Sequence, residues 1–549
     1  MTNNTTPPTP LDHLFHWERL RPDAIWLTQP LADGRVRRYS WRQVADQVRR
    51  MAQWLENLRL PPCSQIALLG KNSAHWIMAD LAIWLAGHVS VPLYPTLSAA
   101  TARHILLHSE ARLVLVGRMD ELWEALAPSL QDLLPMATLP LAPALAVPHW
   151  DAIIAATPPL ARHAQRRPEE LATIIYTSGS TGEPKGVMIS FAALSATAQG
   201  LGGVFPLSVR ERMLSYLPLA HAAERAMVET MALHHGFRIY FAWSLETFMQ
   251  DLRRARPTLF FSVPRLWTKF RQGIEAKLPA ERQERLQRVP VLGWWLKRRI
   301  LRQLGLDHVR VAITGSAPLA PATVAWYRGL GLELLEGYGM SENFAYSHGN
   351  RPGDVGPGTV GAPMPGVEQR ISASGEIEVR SPATMLGYFR DAAQTETALS
   401  PDGFLRTGDR GHIDARGRLT ITGRTKELFK TAKGKYVAPV PIENRLAAHA
   451  GVEAVCVTGS GWPQPFALLL AAAGAGKAEL ERELRQLLHS VNAALEDHER
   501  LSCLVVVQGP WTVANGLLTP TLKIRRERIE AHYLERLGNR PGSADLIWE

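Results

Sequence analysis

Leu171-Ala-Thr-Ile-Ile-Tyr-Thr-Ser-Gly-Ser-Thr-Gly-Glu-Pro-Lys-Gly186 is the stretch on which the fold turns. Leu171 to Ile175 is an apolar run of strand length, and it gives way to a polar loop crowded with glycines and hydroxyls. Gly179, Gly182 and Gly186 let the backbone approach a bulky anion. The hydroxyls of Thr177, Ser178, Ser180 and Thr181 and the charge of Lys185 can contact phosphate oxygens. A Walker loop needs Gly-Lys-Ser/Thr, whereas here Pro184 precedes Lys185 and Gly186 follows it. An exposed flexible loop is the plain alternative, and it leaves the ordering of these groups unexplained.

Outward from this stretch, Ser40 and Gln43 form a capping-box pattern ahead of Trp41, Val44, Val48, Met51 and Leu55 at helical spacing. Gln65 to Leu69 and Leu113 to Val116 read as short buried strands separated by a helical stretch, which gives the βαβ rhythm of a parallel sheet. Pro135 to Pro148 and Thr157 to Pro168, rich in Pro and Ala, are expected to cross the surface without regular structure. Alternation continues to about Val379, after which short strands are spaced by Gly, Asp and Arg. A boundary is expected near Gly423. Beyond it, Val452 to Val457 and Cys503 to Val507 read as strands flanking a helix with apolar positions Leu480, Leu484, Leu487, Leu488, Val491 and Leu495. The expectation is an α/β chain. A large N-terminal domain, 1–423, has layered, mostly parallel sheets with helices and a small β-rich subdomain, and a small C-terminal α+β domain, 424–549, follows.

With 549 residues the chain exceeds what one core usually supports, and 46% apolar with 20% charged residues places it among globular proteins. The net charge of +10 favours anionic partners such as nucleotides, CoA or a membrane surface, but no concentrated basic face with interleaved aromatics speaks for nucleic acid. Cys63, Cys456 and Cys503 are far apart in apolar runs, which suggests neither a zinc cluster nor a disulfide framework and fits a reducing cytoplasm. The first ten residues lack the pattern of a signal peptide, and Trp76 to Ala86 is too short to span a bilayer.

The segment closing at Gly186 resembles the phosphate loop of the adenylate-forming superfamily, which includes acyl-CoA synthetases, peptide-synthetase adenylation domains and luciferases. Gly315-Ser316-Ala317-Pro-Leu319 and Glu336-Gly337-Tyr338-Gly339-Met340-Ser341-Glu342 resemble its adenosine loops. The resemblance implies that Tyr338 flanks adenine, Ser341 meets the α-phosphate, and Glu342, with Thr181, holds magnesium. A carboxylate suits a hard cation, although Glu342 taken alone reads as a solvated acid. Asp409 in Gly403-Phe-Leu-Arg-Thr-Gly-Asp409 resembles the acceptor of the ribose hydroxyls and Arg424 its partner; without the family, Thr407-Gly-Asp409 is a turn signal. Lys523 in Leu518-Thr-Pro-Thr-Leu-Lys-Ile524 resembles the lysine that reaches from the small, mobile domain to the carboxylate and α-phosphate. Its plain reading is basic surface, since Arg525, Arg526 and Arg528 follow. Lys426 occupies the family's hinge position.

Tyr216-Leu-Pro-Leu-Ala-His-Ala-Ala-Glu-Arg225 and Val263-Pro-Arg-Leu-Trp267 resemble the long-chain fatty acyl-CoA synthetase branch, which implies that His221 lines the acyl pocket; a lone histidine otherwise reads as a satisfied, partly buried residue. Lys433, Gly434 and Lys435 fall in a segment similar to the loop along the pantetheine path. The resemblance covers about residues 30 to 530 and implies a ligase that uses ATP, Mg2+ and CoA on a fatty acid. One departure is Ser190-Phe-Ala-Ala193 where the family has Thr-His-x-Asn, which puts local helix capping in question.

Rival readings are an acyl-AMP ligase that loads a carrier protein, and a nucleotide- or lipid-binding module without turnover. Gly356-Pro-Gly-Thr-Val-Gly361 satisfies a dinucleotide pattern, but no strand precedes it, and Pro363 and Pro365 stand where a helix would begin. Gly474-Ala-Gly-Lys477 reads as a turn. Residues 289–306, with Trp294, Trp295, Lys297, Arg298, Arg299 and Arg302, suit either an acidic membrane surface or a core-facing helix with a basic exterior. The second is preferred because Pro290 and Gly293 shorten the helix.

Overall fold

The structure, a computed structural model, describes residues 8–161, 165–178, 183–287, 289–317, 319–449, 451–472, 476–513, 515–519, 523–538 and 541–549. The expected capping box forms: Ser40 Oγ accepts from Gln43 N at 3.4 Å, and Gln43 Oε1 accepts from Ser40 N at 2.9 Å. The helix it starts, Trp41–Asn57, buries Trp41, Val44, Val48, Met51 and Leu55 on one face.

Strands Val89–Leu93, Gln65–Leu69, Leu113–Val116 and Met136–Thr138 run parallel in a seven-stranded sheet. Met136–Thr138 is a correction, because the Pro-rich stretch around it was expected to hold no regular element. Pairing with Val114, Leu115 and Val116 outweighs local composition there. On the other side of the sheet, Leu171–Ser178 pairs parallel with Val89–Leu93 and antiparallel with Pro184–Ser190. Helix Ala74–Leu85 is buried along its whole length, Asp80 included. That burial is possible because Arg225 Nη2 donates to Asp80 Oδ2, while its Nε reaches Glu229 at 3.2 Å and its Nη1 reaches Thr173 Oγ1 at 2.7 Å.

In a second sheet Leu259–Ser262, Val311–Thr314 and Leu334–Tyr338 run parallel and are extended antiparallel by His348–Gly349 and Ala362–Pro363. The expected β-rich subdomain is the antiparallel set Glu368–Ile371, Glu376–Arg380, Leu405–Ile413 and Leu419–Arg424. Past the short turn Thr425–Glu427, a separate sheet of Val452–Thr458, Phe466–Ala471, Leu504–Val506 and Leu546–Trp548 packs with its own core around Ile442, Leu446, Leu469 and Leu484. Its helix Lys477–Asn492 buries Leu480, Leu484, Leu488 and Val491; Leu487 is only partly buried, and Leu495 lies past the helix end.

Two further expectations are corrected. Cys456 and Cys503 are buried as free thiols, but Cys63 is exposed in a tight turn at φ +57°. Within residues 289–306 the large side chains of Leu296, Ile300, Leu304 and Leu306 turn inward, while the two tryptophans face solvent. The helix is not shortened as Pro290 and Gly293 suggested, since it runs from Pro290 to Gln303 with Pro290 in its first turn, where no N–H is needed, and Gly293 inside it; the large side chains of its first turns are exposed.

Candidate active site

The carboxyl ends of Leu259–Ser262, Val311–Thr314 and Leu334–Tyr338 open into a cleft of about 2690 Å³, as is usual for ligand sites on parallel sheets. Thr177, Lys185 and His221 line it from one side, Asp409, Arg424 and Lys426 from another, and Lys523 of the C-terminal part from a third. Residues separated by more than 300 positions in the chain therefore share one solvent-filled space.

On the side of the cleft formed by the second sheet, backbones approach closely. A Cβ on Gly315 would stand 3.1 Å from the Gly337 carbonyl oxygen, and one on Gly339 would stand 2.5 Å from the Ala345 carbonyl carbon. The loops Gly315–Ala317 and Gly339–Ser341 thereby present backbone, together with Glu336 and Gly337, to the cleft. Burial pushes the Glu336 carboxyl up to about 7. The Tyr338 hydroxyl donates to Asp409 Oδ2 at 2.6 Å, and Arg424 Nε donates to Oδ1 at 3.0 Å. Asp409 and Arg424 are direct partners across two antiparallel strands, so the sheet register itself sets this contact. A buried carboxylate held from both oxygens keeps spare lone pairs and a fixed direction for a diol.

The phosphate-loop candidate begins and ends on the antiparallel strands Leu171–Ser178 and Pro184–Ser190, with Thr177 opposite Lys185. Gly179, Ser180, Thr181 and Gly182 lie outside the described residues, as does the side chain of Ser178. Lys185 Nζ stands 5.4 Å above the Tyr388 ring. Gly186 has a packing reason in place of the expected approach to an anion: a Cβ there would lie 2.7 Å from Ile174 Cγ2. The helix-capping question is also resolved, since Ser190 Oγ accepts from Ala193 N at 3.2 Å and starts helix Phe191–Val204.

Glu342 lines the same cleft and its Oε1 accepts from the Tyr388 hydroxyl at 2.9 Å. Among the described residues no group of three or more His, Cys, Asp or Glu side chains forms a cage for a metal. One oriented carboxylate next to a phosphate site is the donor set that magnesium takes when the nucleotide supplies the other oxygens, so the residues present fit that ion.

Lys523 is held by its own backbone, whose N–H donates to Thr519 Oγ1 at 3.1 Å while its carbonyl accepts from Thr519 N at 2.8 Å. Enclosure by the cleft walls, and then the Arg424 cation, hold its pKa below the ordinary lysine value, against the pull of Asp409, Glu427 and Glu342. Next in the chain, Arg526 Nη1 bonds Glu443 Oε1 at 2.7 Å, which ties this segment to the C-terminal core.

His221 caps the short helix Ala222–Glu224, and its Nδ1 accepts from Ala223 N at 3.1 Å, which assigns the ring proton to Nε2. Burial, with Lys523 adding to it, pushes its pKa down to about 4, so the ring is neutral at physiological pH. The loop carrying it is pinned by residues that sequence reasoning missed. Glu224 accepts from Ser215 Oγ at 2.9 Å and Tyr216 N at 3.1 Å, while Asn72 Nδ2 donates to Ser215 Oγ at 2.8 Å and Asn72 Oδ1 accepts from Leu219 N at 2.9 Å. Glu224 lay in a motif already singled out; Asn72 carried no signal. Lys433, Gly434 and Lys435 are exposed on the turn joining Phe429–Lys430 to Tyr436–Val437 and do not line the cleft in this arrangement.

A cleft with an oriented aspartate, an oriented glutamate and a lysine delivered from a second part of the chain defines a class, and the comparisons agree. The AMP-binding enzyme model matches residues 14–389 and the AMP-binding enzyme C-terminal domain model matches residues 427–538, so the chain belongs to the AMP-binding enzyme family. Its relatives include the long-chain-fatty-acid–CoA ligase FadD15 of Mycobacterium bovis, 30% identical over 94% of this chain and 94% of that protein. Another is the peroxisomal long chain acyl-CoA synthetase 6 of Arabidopsis thaliana, 29% identical over 93% of this chain and 83% of that protein. The fold is that of the anthranilate CoA ligase AuaEII, solved with anthranoyl-AMP, at a TM-score of 0.81 and 22% identity over 97% of this chain and 98% of that one.

Proposed function

We propose that this chain is an ATP-dependent long-chain fatty acid–CoA ligase that forms an acyl-adenylate and then an acyl-CoA, releasing pyrophosphate and AMP. The observation that carries the reading is the shared cleft, which Lys523 from the C-terminal part lines together with Thr177, Lys185, Glu342 and Asp409 of the larger part. Kinship with long-chain ligases supports the substrate class.

In the first half-reaction a carboxylate oxygen of the fatty acid attacks the α-phosphorus of ATP and pyrophosphate leaves. Asp409 holds the ribose, Tyr338 lies against the adenine, the backbone of Gly315–Ala317 and Gly339–Ser341 borders the nucleoside, and Thr177, Lys185 and the hydroxyl loop take the phosphates. Lys523 offsets the charge that gathers between carboxylate and phosphorus, a task for a fixed cation in an enclosed site. Magnesium, held by Glu342 and Thr181, would neutralise charge on the departing phosphates. His221, neutral and with its proton on Nε2, borders the acyl side. In the second half-reaction the CoA thiol attacks the acyl carbonyl and AMP leaves. The domain boundary at 423/424 and the hinge at Lys426 belong to this reading: rotation there withdraws Lys523 and brings Lys433, Gly434 and Lys435 toward the pantetheine. A peripheral contact with lipid fits a substrate that collects in membranes. Among the described residues no helix is long and apolar enough to cross one.

The test is a panel of carboxylates with ATP and CoA, read by mass detection of AMP and thioester. Long-chain acids are expected to yield both in equal amounts. AMP without thioester, unless a carrier protein is supplied, would point to an acyl-AMP ligase instead, and neither product with any fatty acid would end the reading.

A further inference from the structure

Helix Pro290–Gln303 buries large side chains only from Leu296 onward, among the described residues. Leu296, 8% exposed, and Ile300, 3%, enter the core beside Trp267, Phe270 and Ile274. The large side chains of its first turns are open: Val291 is 80% exposed, Trp294 59% and Trp295 49%, with Val289 and Leu292 beside them. Of the large hydrophobic side chains exposed among the described residues, five fall in this run of seven positions, and the others are scattered along the chain. That is a patch, which single exposed residues are not.

The charge carried by the helix itself has one sign. The helix carries Lys297, Arg298, Arg299 and Arg302 and no acid; Asp307, in the turn that follows, stands 3.9 Å from Arg302. The preceding helix Ala280–Gln287 contributes acids and bases in equal number. Arg298 stacks over Trp294 and Arg299 over Trp295, each at 4.9 Å one turn along. The arrangement thus has two layers, rings at the tip and guanidinium groups one turn behind. An indole ring partitions to the boundary between headgroups and acyl chains, and a guanidinium pairs with the phosphates above it. A second copy of the same chain is a poor match, because an isologous contact sets four cations against four. A projecting tip, unlike a groove, also offers a protein segment little to fill.

We propose that residues 289–302 dock on an anionic phospholipid surface, with Val291, Trp294 and Trp295 entering the boundary layer and Lys297, Arg298, Arg299 and Arg302 meeting lipid phosphates. Helix Pro264–Glu275 lines the cleft at Pro264 and Arg265 and shares one hydrophobic cluster with Leu296 and Ile300 through Trp267 and Phe270. Docking gives the peripheral contact of the proposed function a location. It rests on that reading only for its purpose, since binding to lipid requires no turnover.

The experiment is co-sedimentation of the full chain with vesicles of phosphatidylcholine alone and of phosphatidylcholine mixed with phosphatidylglycerol, together with quenching of tryptophan fluorescence by brominated lipid. Binding is expected on the mixed vesicles, weakening with salt. Trp294→Ala/Trp295→Ala and Arg298→Glu/Arg299→Glu should each lower it by roughly tenfold or more, and the first pair should also remove most of the quenching. Both variants alter exposed residues and should keep the wild-type melting temperature and the turnover of a water-soluble short-chain acid. Equal binding to both vesicle types, binding unchanged in both variants, or a change in the mass of the lipid-free protein on mutating the patch would each overturn the proposal. Lipid binding that follows the predicted pattern in a protein that makes no acyl-CoA would uphold it and count against the ligase reading alone.

Discussion

Glu224 shows how a single residue beyond the reacting groups shapes the cleft. Its burial pushes the carboxyl up to about 8, so the folded protein holds a proton that the unfolded chain, near the ordinary value of 4.5, gives up. Stability from this group is complete below 4.5 and is lost as the pH rises toward 8. Glu224→Gln, which mimics the protonated acid, should flatten that part of the stability profile; urea unfolding at about pH 5 and about pH 8 measures it, and an unchanged difference between the two would contradict the assignment. At Asp409 the expectation concerns binding. Asp409→Ala removes the acceptor for the ribose and frees Tyr338 and Arg424, and the KM for ATP should rise roughly 10- to 100-fold, with the protein still folded by circular dichroism. Asp409, Arg424 and Lys523 were legible because each sits in a short ordered motif. The Asn72–Ser215–Glu224 network was not, because Asn72 lies 143 positions from Ser215 and meets it only after the sheets assemble.

At the scale of elements, a buried ion cluster joins two helical segments to a strand. Arg225 opens the π-helical turn Arg225–Thr230 and binds Asp80 of helix Ala74–Leu85 and Thr173 of strand Leu171–Ser178, the strand that leads into the phosphate-loop candidate. Burial, and then their mutual repulsion, raise the Glu229 carboxyl, and burial likewise raises Asp80 despite Arg225. Arg225→Ala would strand both acids in the core and should cost about 3–5 kcal/mol in unfolding free energy; a loss below about 1 kcal/mol would show that the cluster relaxes around the gap. The turn Thr425–Glu427 is the other element with a predicted function. Lys426→Pro restricts backbone rotation there and should leave adenylate formation near wild type while suppressing thioester formation, as separate assays of the two half-reactions would reveal. Elements with strong local signals, such as the capped helix Trp41–Asn57, were readable in advance. Met136–Thr138 was not, because a three-residue edge strand owes its existence to its neighbour, and neither was the outward face of helix Pro290–Gln303, because periodicity finds an apolar side without saying whether anything covers it.

The whole molecule acts by bringing distant segments to one space. Composition and the alternating pattern disclosed its α/β character and the self-contained C-terminal core, but the sharing of one cleft by residues 177 and 523 is a property of the assembled molecule. The ion pair between Arg265 and Glu453, 2.9 Å apart and exposed, joins the two parts and is worth little by itself. The central claim is that a single nucleoside triphosphate is held between the hydroxyl loop and Lys523. Exchange of labelled pyrophosphate into ATP, followed together with equilibrium ATP binding in the wild type and in Lys523→Ala, tests it most directly. The wild type should exchange only when a fatty acid is present, and the variant should bind ATP within a few-fold of wild type yet exchange roughly 100- to 1000-fold more slowly. Exchange at the wild-type rate in Lys523→Ala, or a wild-type protein that does not bind ATP, would contradict it.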